Sequence, residues 1–279
     1  MMVKNVFDTP SRFYFYLKKI LKKFYQNSNL YNNKIFPTKD LIFQYKPSPH
    51  LLASIVKYQK KKYKIEDFSI ETIWEKNLKY KEFEKLNNFF WFFSLDLKSS
   101  KKSTQIIINN WIKKNNRYNE KSWNFDITSK RIISWLSNYQ LTYEDCEEGY
   151  KKKFNQSIQK QTNHLLSEIK NLSKVENKIV GCAAIILTGL AYKDDKKYLD
   201  NGLNLLKKII KSSIDNQGFP KSRNIRQLIF YLKYFIIIRE WFKESQNTIP
   251  EYIDETIYYL GQSYAFIWQN INQDLLFNG

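Results

Sequence analysis

Successive helical segments in the second half of this chain are of two alternating kinds. Residues 148 to 172 are strongly polar with one apolar stripe, and residues 195 to 214 again carry a single apolar face. Between them lies IVGCAAIILTGLAY (179 to 192), and after them LIFYLKYFIII (228 to 238), both apolar around nearly the whole helical circumference. A helix with one stripe turns its other side to water, whereas a helix that is apolar all round is shielded on every side. Outer and inner helices joined head to tail by short turns make an α/α toroid, in which helix pairs wind round a common axis. A solenoid of helix pairs is the nearest alternative.

The sequence therefore predicts an all-α fold, with helices near 81 to 96, 101 to 116, 126 to 140, 148 to 172, 178 to 192, 195 to 214, 223 to 244 and 250 to 270. Residues 1 to 49 read as an N-terminal helix and an irregular, Asn- and Pro-rich connection, and residues 50 to 279 as the toroid domain. A short strand is expected over 63 to 74. The run NFFWFFSLDL (88 to 97) reads as core.

Composition removes several classes. A chain of 279 residues with 43% hydrophobic and 17% aromatic residues has ample material for a core and does not read as disordered. Two cysteines and two histidines, His50 and His164, supply neither a disulfide framework nor a metal cage. No metal site and no cofactor are expected, since the common nucleotide, zinc and redox motifs are missing. The formal charge of +19 invites an anionic partner, yet forty of the 46 cationic residues are Lys. With the abundant Asn, Ile, Tyr and Phe, that pattern is the drift of an AT-rich genome, so nucleic acid is not an expected partner.

The first 26 residues lack the apolar run and cleavage site of a secretory signal. A cytoplasmic location is the expectation, with the periplasm as the alternative, and no transmembrane segment is expected. Phe13, Tyr16, Leu17, Ile20, Leu21 and Phe24 recur at helical spacing with lysines between them. Such a helix either packs on its own domain, the commoner case, or lies on an anionic membrane.

If inner and outer helices alternate, the inner ones run in parallel and begin at one rim. Residues 123 to 126, Glu176 with Asn177 and Lys178, and residues 221 to 224 then lie there. Helix N-termini favour anions by about 0.3 to 1 kcal/mol each. Arg223 and Arg226, two of only six arginines, add the fork geometry that grips a carboxylate. Ser222 is the expected cap of the helix that follows. Whether those arginines bind a ligand or pair with neighbouring acids stays open on sequence alone.

In DITSKRIISWLSNY (126 to 139), Arg131, Ser134, Trp135 and Asn138 gather on the side opposite the aliphatic residues. Such a face suits sugar recognition, with the indole stacking on a ring, although Trp135 alone reads as packing. His164 reads as an exposed histidine on an outer helix.

The segments LNNFFWFFSLDL, SWNFDITSKRIISWLSNYQL, AAIILTGLAY and GFPKSRNIRQL, with the closing LLFNG, resemble the heparinase II/III-type proteins over roughly residues 80 to 279. The similarity is greatest to a branch common in alphaproteobacteria. The resemblance implies an α/α toroid that precedes a β-sandwich in the family, and lyase activity on uronate-containing glycans by β-elimination. Asn177 matches the residue that neutralises the uronate carboxylate, with Lys178 where a histidine often follows and Ile225 near the place of a catalytic tyrosine. The implied substrate-binding set is Arg223, Asn224, Arg226, Lys178, Arg131, Trp135 and Asn138. The implied partners are an acidic polysaccharide and a sandwich on a separate domain or chain, because the sequence stops about where the sandwich begins. A non-catalytic glycan-binding or assembly protein of surface-polysaccharide metabolism is the alternative.

Overall fold

The computed structural model describes residues 9–39, 41–48, 74, 78–95, 101–192 and 196–271. The expected strand over 63 to 74 lies outside this set except for Trp74, as does His50. Helices α1 (Thr9–Asn27) and α2 (Asn29–Ile35) come first. Helix α3 (Tyr80–Asn87) and a 3₁₀ turn (Phe90–Ser94) lead into α4 (Lys101–Lys114), α5 (Phe125–Ser137) and the short α6 (Tyr139–Thr142). The rest is α7 (Glu148–Glu168), α8 (Val175–Ala191), α9 (Lys196–Ser213), α10 (Ile225–Glu244) and α11 (Glu251–Ile271).

Helix α8 shows why the apolar segments lie inside. Every residue from Ile179 to Ala191 is buried, because α5 and α10 flank it while α7 and α9 cover it. The pairing of Asn155 with Tyr192 (2.8 Å) and of Thr162 with Thr188 (3.1 Å) makes α7 antiparallel to α8. Glycine permits the close approach of α9. A Cβ on Gly189 would stand 2.4 Å from the Leu199 backbone nitrogen, and one on Gly202 would stand 2.7 Å from Ile186. Polar outer helices thus alternate with buried inner ones, and the described chain is an arc of an α/α toroid.

The inner helices start at the same end. Phe125, the first residue of α5, fills the space over Gly181 in the second turn of α8. Gln227 in the first turn of α10 is bonded to Glu176 in the first turn of α8. Aromatic packing reinforces the α4–α5 side, where Trp135 meets Phe89 and Trp111 edge-on at centroid distances of 5.2 and 5.4 Å. Each large apolar side chain removed from water in this way stabilises by about 1.5 to 3 kcal/mol.

Two N-terminal expectations are corrected. The connection after α1 holds α2 and then an extended strap, in which Leu41, Phe43 and Tyr45 join the main core while Ile42 and Gln44 face out. The strap is held by the Gln44 amide, which donates to the last carbonyl of α8, Ala191 (2.8 Å). Helix α1, in turn, leaves its apolar face in solvent, with Phe13, Tyr16, Leu21 and Phe24 exposed.

Candidate functional site

The rim is built from three helix starts. At α5, the Asn124 side chain caps the helix by accepting from the Asp126 amide (3.1 Å), and Asp126 pairs with Lys130 one turn on (2.5 Å). Lys130 is also 3.9 Å from Glu84 of α3. At α8, the helix begins at Val175, so Glu176, Asn177 and Lys178 are its first turn and not its approach; all three are half-buried.

At α10, the cap is Asn224, whose side chain accepts from the Arg226 amide (2.9 Å). Ser222, expected as the cap, instead accepts from the Asn224 amide (3.2 Å) and donates to Gln227, because a left-handed residue intervenes. That residue is Arg223, with φ of 58°. The turn before it is set by Asp215, which accepts from the amides of Gln217 (3.0 Å) and Phe219 (2.9 Å) and pairs with Arg223 (2.6 Å). Although desolvation pushes the other way, those amides and the guanidinium hold Asp215 below its ordinary pKa.

The bond from Gln227 to Glu176 (2.7 Å) puts the start of α10 and the first turn of α8 at one rim. The edge is not purely basic, since Asp126, Glu176, Glu84 and Asp215 share it with the cations. Two tyrosines of α10 feel the rim's carboxylates from inside the fold, Tyr231 as a core residue and Tyr234 packed against the core. Burial and then the Glu176 carboxylate push Tyr231 up to about 12. Burial and then Asp126 push Tyr234 up as well. Nothing in the apolar run around them distinguishes these tyrosines from core residues, and the fold indeed packs both with the core.

Three expected ligand residues are corrected. Arg131 is fully buried and donates to Gln161 (2.7 Å), the Asn87 and Ser122 carbonyls (3.0 and 2.9 Å) and Thr128 (3.1 Å), with its guanidinium 4.0 Å above the Trp111 ring. Desolvation lowers its pKa. Trp135 has no exposed surface, and Asn138 donates to the Ser134 carbonyl (2.8 Å) within its own helix. These three side chains are covered because α3, the 3₁₀ turn, α7 and α8 pack around α5, so they carry internal bonds instead of lining a groove.

His164 is corrected too. It is buried beside Tyr31 and Trp123, with Nε2 3.0 Å from the Trp123 carbonyl and Nδ1 2.7 Å from the Tyr31 hydroxyl. A carbonyl only accepts, so Nε2 carries the proton and Nδ1 accepts from Tyr31. Desolvation holds its pKa at about 3. No described histidine reaches the rim.

A separate cleft of about 610 Å³ between α7, α9 and the segment after α2 is lined by Lys34, Lys39, Lys170, Lys197 and Lys208, and none of its described lining residues is acidic. Its lysines come from three separate stretches of chain, which is why no motif announced it.

Taken together, the inner and outer helices and the single rim of inner-helix starts define an incomplete α/α toroid. A solved structure titled Crystal Structure of Heparinase III is similar to this chain, with a TM-score of 0.57 and 15% identity over 85% of this chain. The chain spans 42% of that structure's length. At this identity the likeness establishes a heparinase-like helical fold. No protein-family profile and no curated protein matches the sequence. No described helix is long and apolar enough to cross a membrane.

Proposed function

We propose that this chain is a toroid of the polysaccharide-lyase type that takes an acidic, uronate-bearing polysaccharide across the rim where α5, α8 and α10 begin. The observation that carries this reading is the bond between Gln227 and Glu176 (2.7 Å), which joins the helix starts from which Arg223, Asn224 and Arg226, and Asn177 and Lys178, would reach the glycan. Arginine and lysine at helix N-termini favour carboxylates by charge, by dipole and, for arginine, by two parallel hydrogen bonds.

In a β-elimination at this rim, Asn177 and Lys178 neutralise the uronate carboxylate, which stabilises the carbanion formed when a general base takes the C5 proton. The electron pair then makes the C4–C5 double bond and expels the C4 oxygen, which a general acid protonates.

A second reading is binding without chemistry. It is favoured by the burial of His164 and by Ile225 standing near the place where the active lyases carry a tyrosine. One experiment separates the two. Polyuronates are incubated with a high concentration of the protein, and the ultraviolet absorbance of the unsaturated product is followed alongside retention on the immobilised glycan. Absorbance supports the lyase; retention lost in Arg223→Ala and Arg226→Ala, without absorbance, selects binding alone. Equal retention by those variants rejects this rim for both.

A further inference from the structure

Helix α1 is docked with its basic side inward. Lys22 pairs with Glu168 of α7, and Lys23 with Glu120 of the loop before α5 (2.7 Å), while the charge of Lys19 also reaches Glu120. The opposite side of the same helix is therefore turned away from the domain. Phe13 is 68% exposed, Leu17 43%, Leu21 60% and Phe24 73%, and their spacing of three and four residues lines them on one face. A contiguous apolar stripe of this kind on a soluble surface marks an interaction site.

We propose that α1 is an interfacial anchor that lays this aromatic face on an anionic lipid surface. Charge selects the occupant. The helix has no acidic residue, Lys18 remains exposed at the margin of the stripe, and the whole chain carries +19. A second copy would bring the same lysines and the same net charge against them, whereas an anionic leaflet attracts both. Tyr14 and Tyr16 at the stripe's edges have the amphipathic rings that settle at headgroup depth. The ion pairs to Glu168 and Glu120 hold the helix flat on the body, the attitude of a helix that lies in the interface and does not span it.

This proposal is independent of the rim. The test is co-sedimentation of the full chain with vesicles of phosphatidylglycerol and phosphatidylcholine, against phosphatidylcholine alone, at physiological salt. Binding to the anionic vesicles is expected to exceed that to the neutral ones by roughly tenfold, and Leu17→Ser/Leu21→Ser/Phe24→Ser to lose it by about tenfold or more at unchanged helical circular dichroism. The triple variant removes exposed side chains and keeps every charge. No binding by the parent overturns the proposal, and so does equal binding by the triple variant, which would assign it to the lysine surface at large. Concentration-dependent self-association abolished by the same variant, without vesicle binding, would identify the face as a contact between copies and overturn it too.

Discussion

The side chain of Gln227 donates to the Glu176 carboxylate over 2.7 Å, linking residues 51 positions apart in the chain. This contact pins the starts of α8 and α10 at one level, and it does so with a neutral partner. Gln227→Glu would set two carboxylates against each other. The variant is expected to be about 1 to 2 kcal/mol less stable at pH 7 in urea titration. The pair then takes up a proton more readily folded than unfolded, so the deficit should shrink as pH falls below about 5. A deficit that does not vary with pH would count against the contact.

Arg223 separates the site from the fold. Its left-handed backbone costs a side-chain-bearing residue about 1 to 2 kcal/mol. The exposed pair with Asp215 offsets about 0.2 to 1 kcal/mol of that. Glycine removes the strain but loses about 0.5 to 1 kcal/mol in chain entropy. Arg223→Gly should thus unfold within about 1 kcal/mol of the parent, while its retention on acidic glycan drops roughly tenfold, the value of one charge-assisted contact.

Arg131 has the opposite profile. Removing it orphans the Asn87 and Ser122 carbonyls and the Gln161 amide oxygen in a closed interior. Arg131→Ala is expected to cost about 3 to 5 kcal/mol by chemical denaturation. Arg131→Lys should recover little, since an ammonium cannot reproduce the planar fork. Glycan retention by whatever fraction remains folded should match the parent; a selective loss of retention would return Arg131 to the binding surface.

His164 predicts a pH dependence. Its folded pKa of about 3 lies below the ordinary 6.5, so the folded state binds fewer protons than the unfolded one. Its contribution is complete above about 6.5 and declines as pH falls toward 3. The urea midpoint of the parent should therefore fall more steeply over this window than that of His164→Gln, which removes the titrating group. Parallel curves would show that the imidazole is not sealed as described.

Much of the architecture was legible before any coordinates. The inner helix at 179 to 192 announced itself because hydrophobic periodicity records how much of a helix surface is shielded, and Ile179 to Ala191 are all buried, while 228 to 238 is covered only in part. The cap of α10 was read at Ser222 and lies at Asn224, because left-handed Arg223 intervenes. That α8 and α10 start at the same end followed from alternation alone.

Residue chemistry was the weaker guide where partners come from far along the chain. Arg131 reads as a ligand group and His164 as an exposed one because cations and imidazoles are costly to bury. Here they are buried with bonds from residues 44 and 133 positions away, the Asn87 carbonyl and the Tyr31 hydroxyl. The same holds for α1, whose periodicity is that of a packed helix. Glu168 and Glu120 turn it over. Local pattern thus specifies which segments are helices and how deeply each is covered, since both depend on residues within a few turns. Which polar groups are satisfied inside, and which way an amphipathic face points, depends on groups that only folding brings within bonding distance.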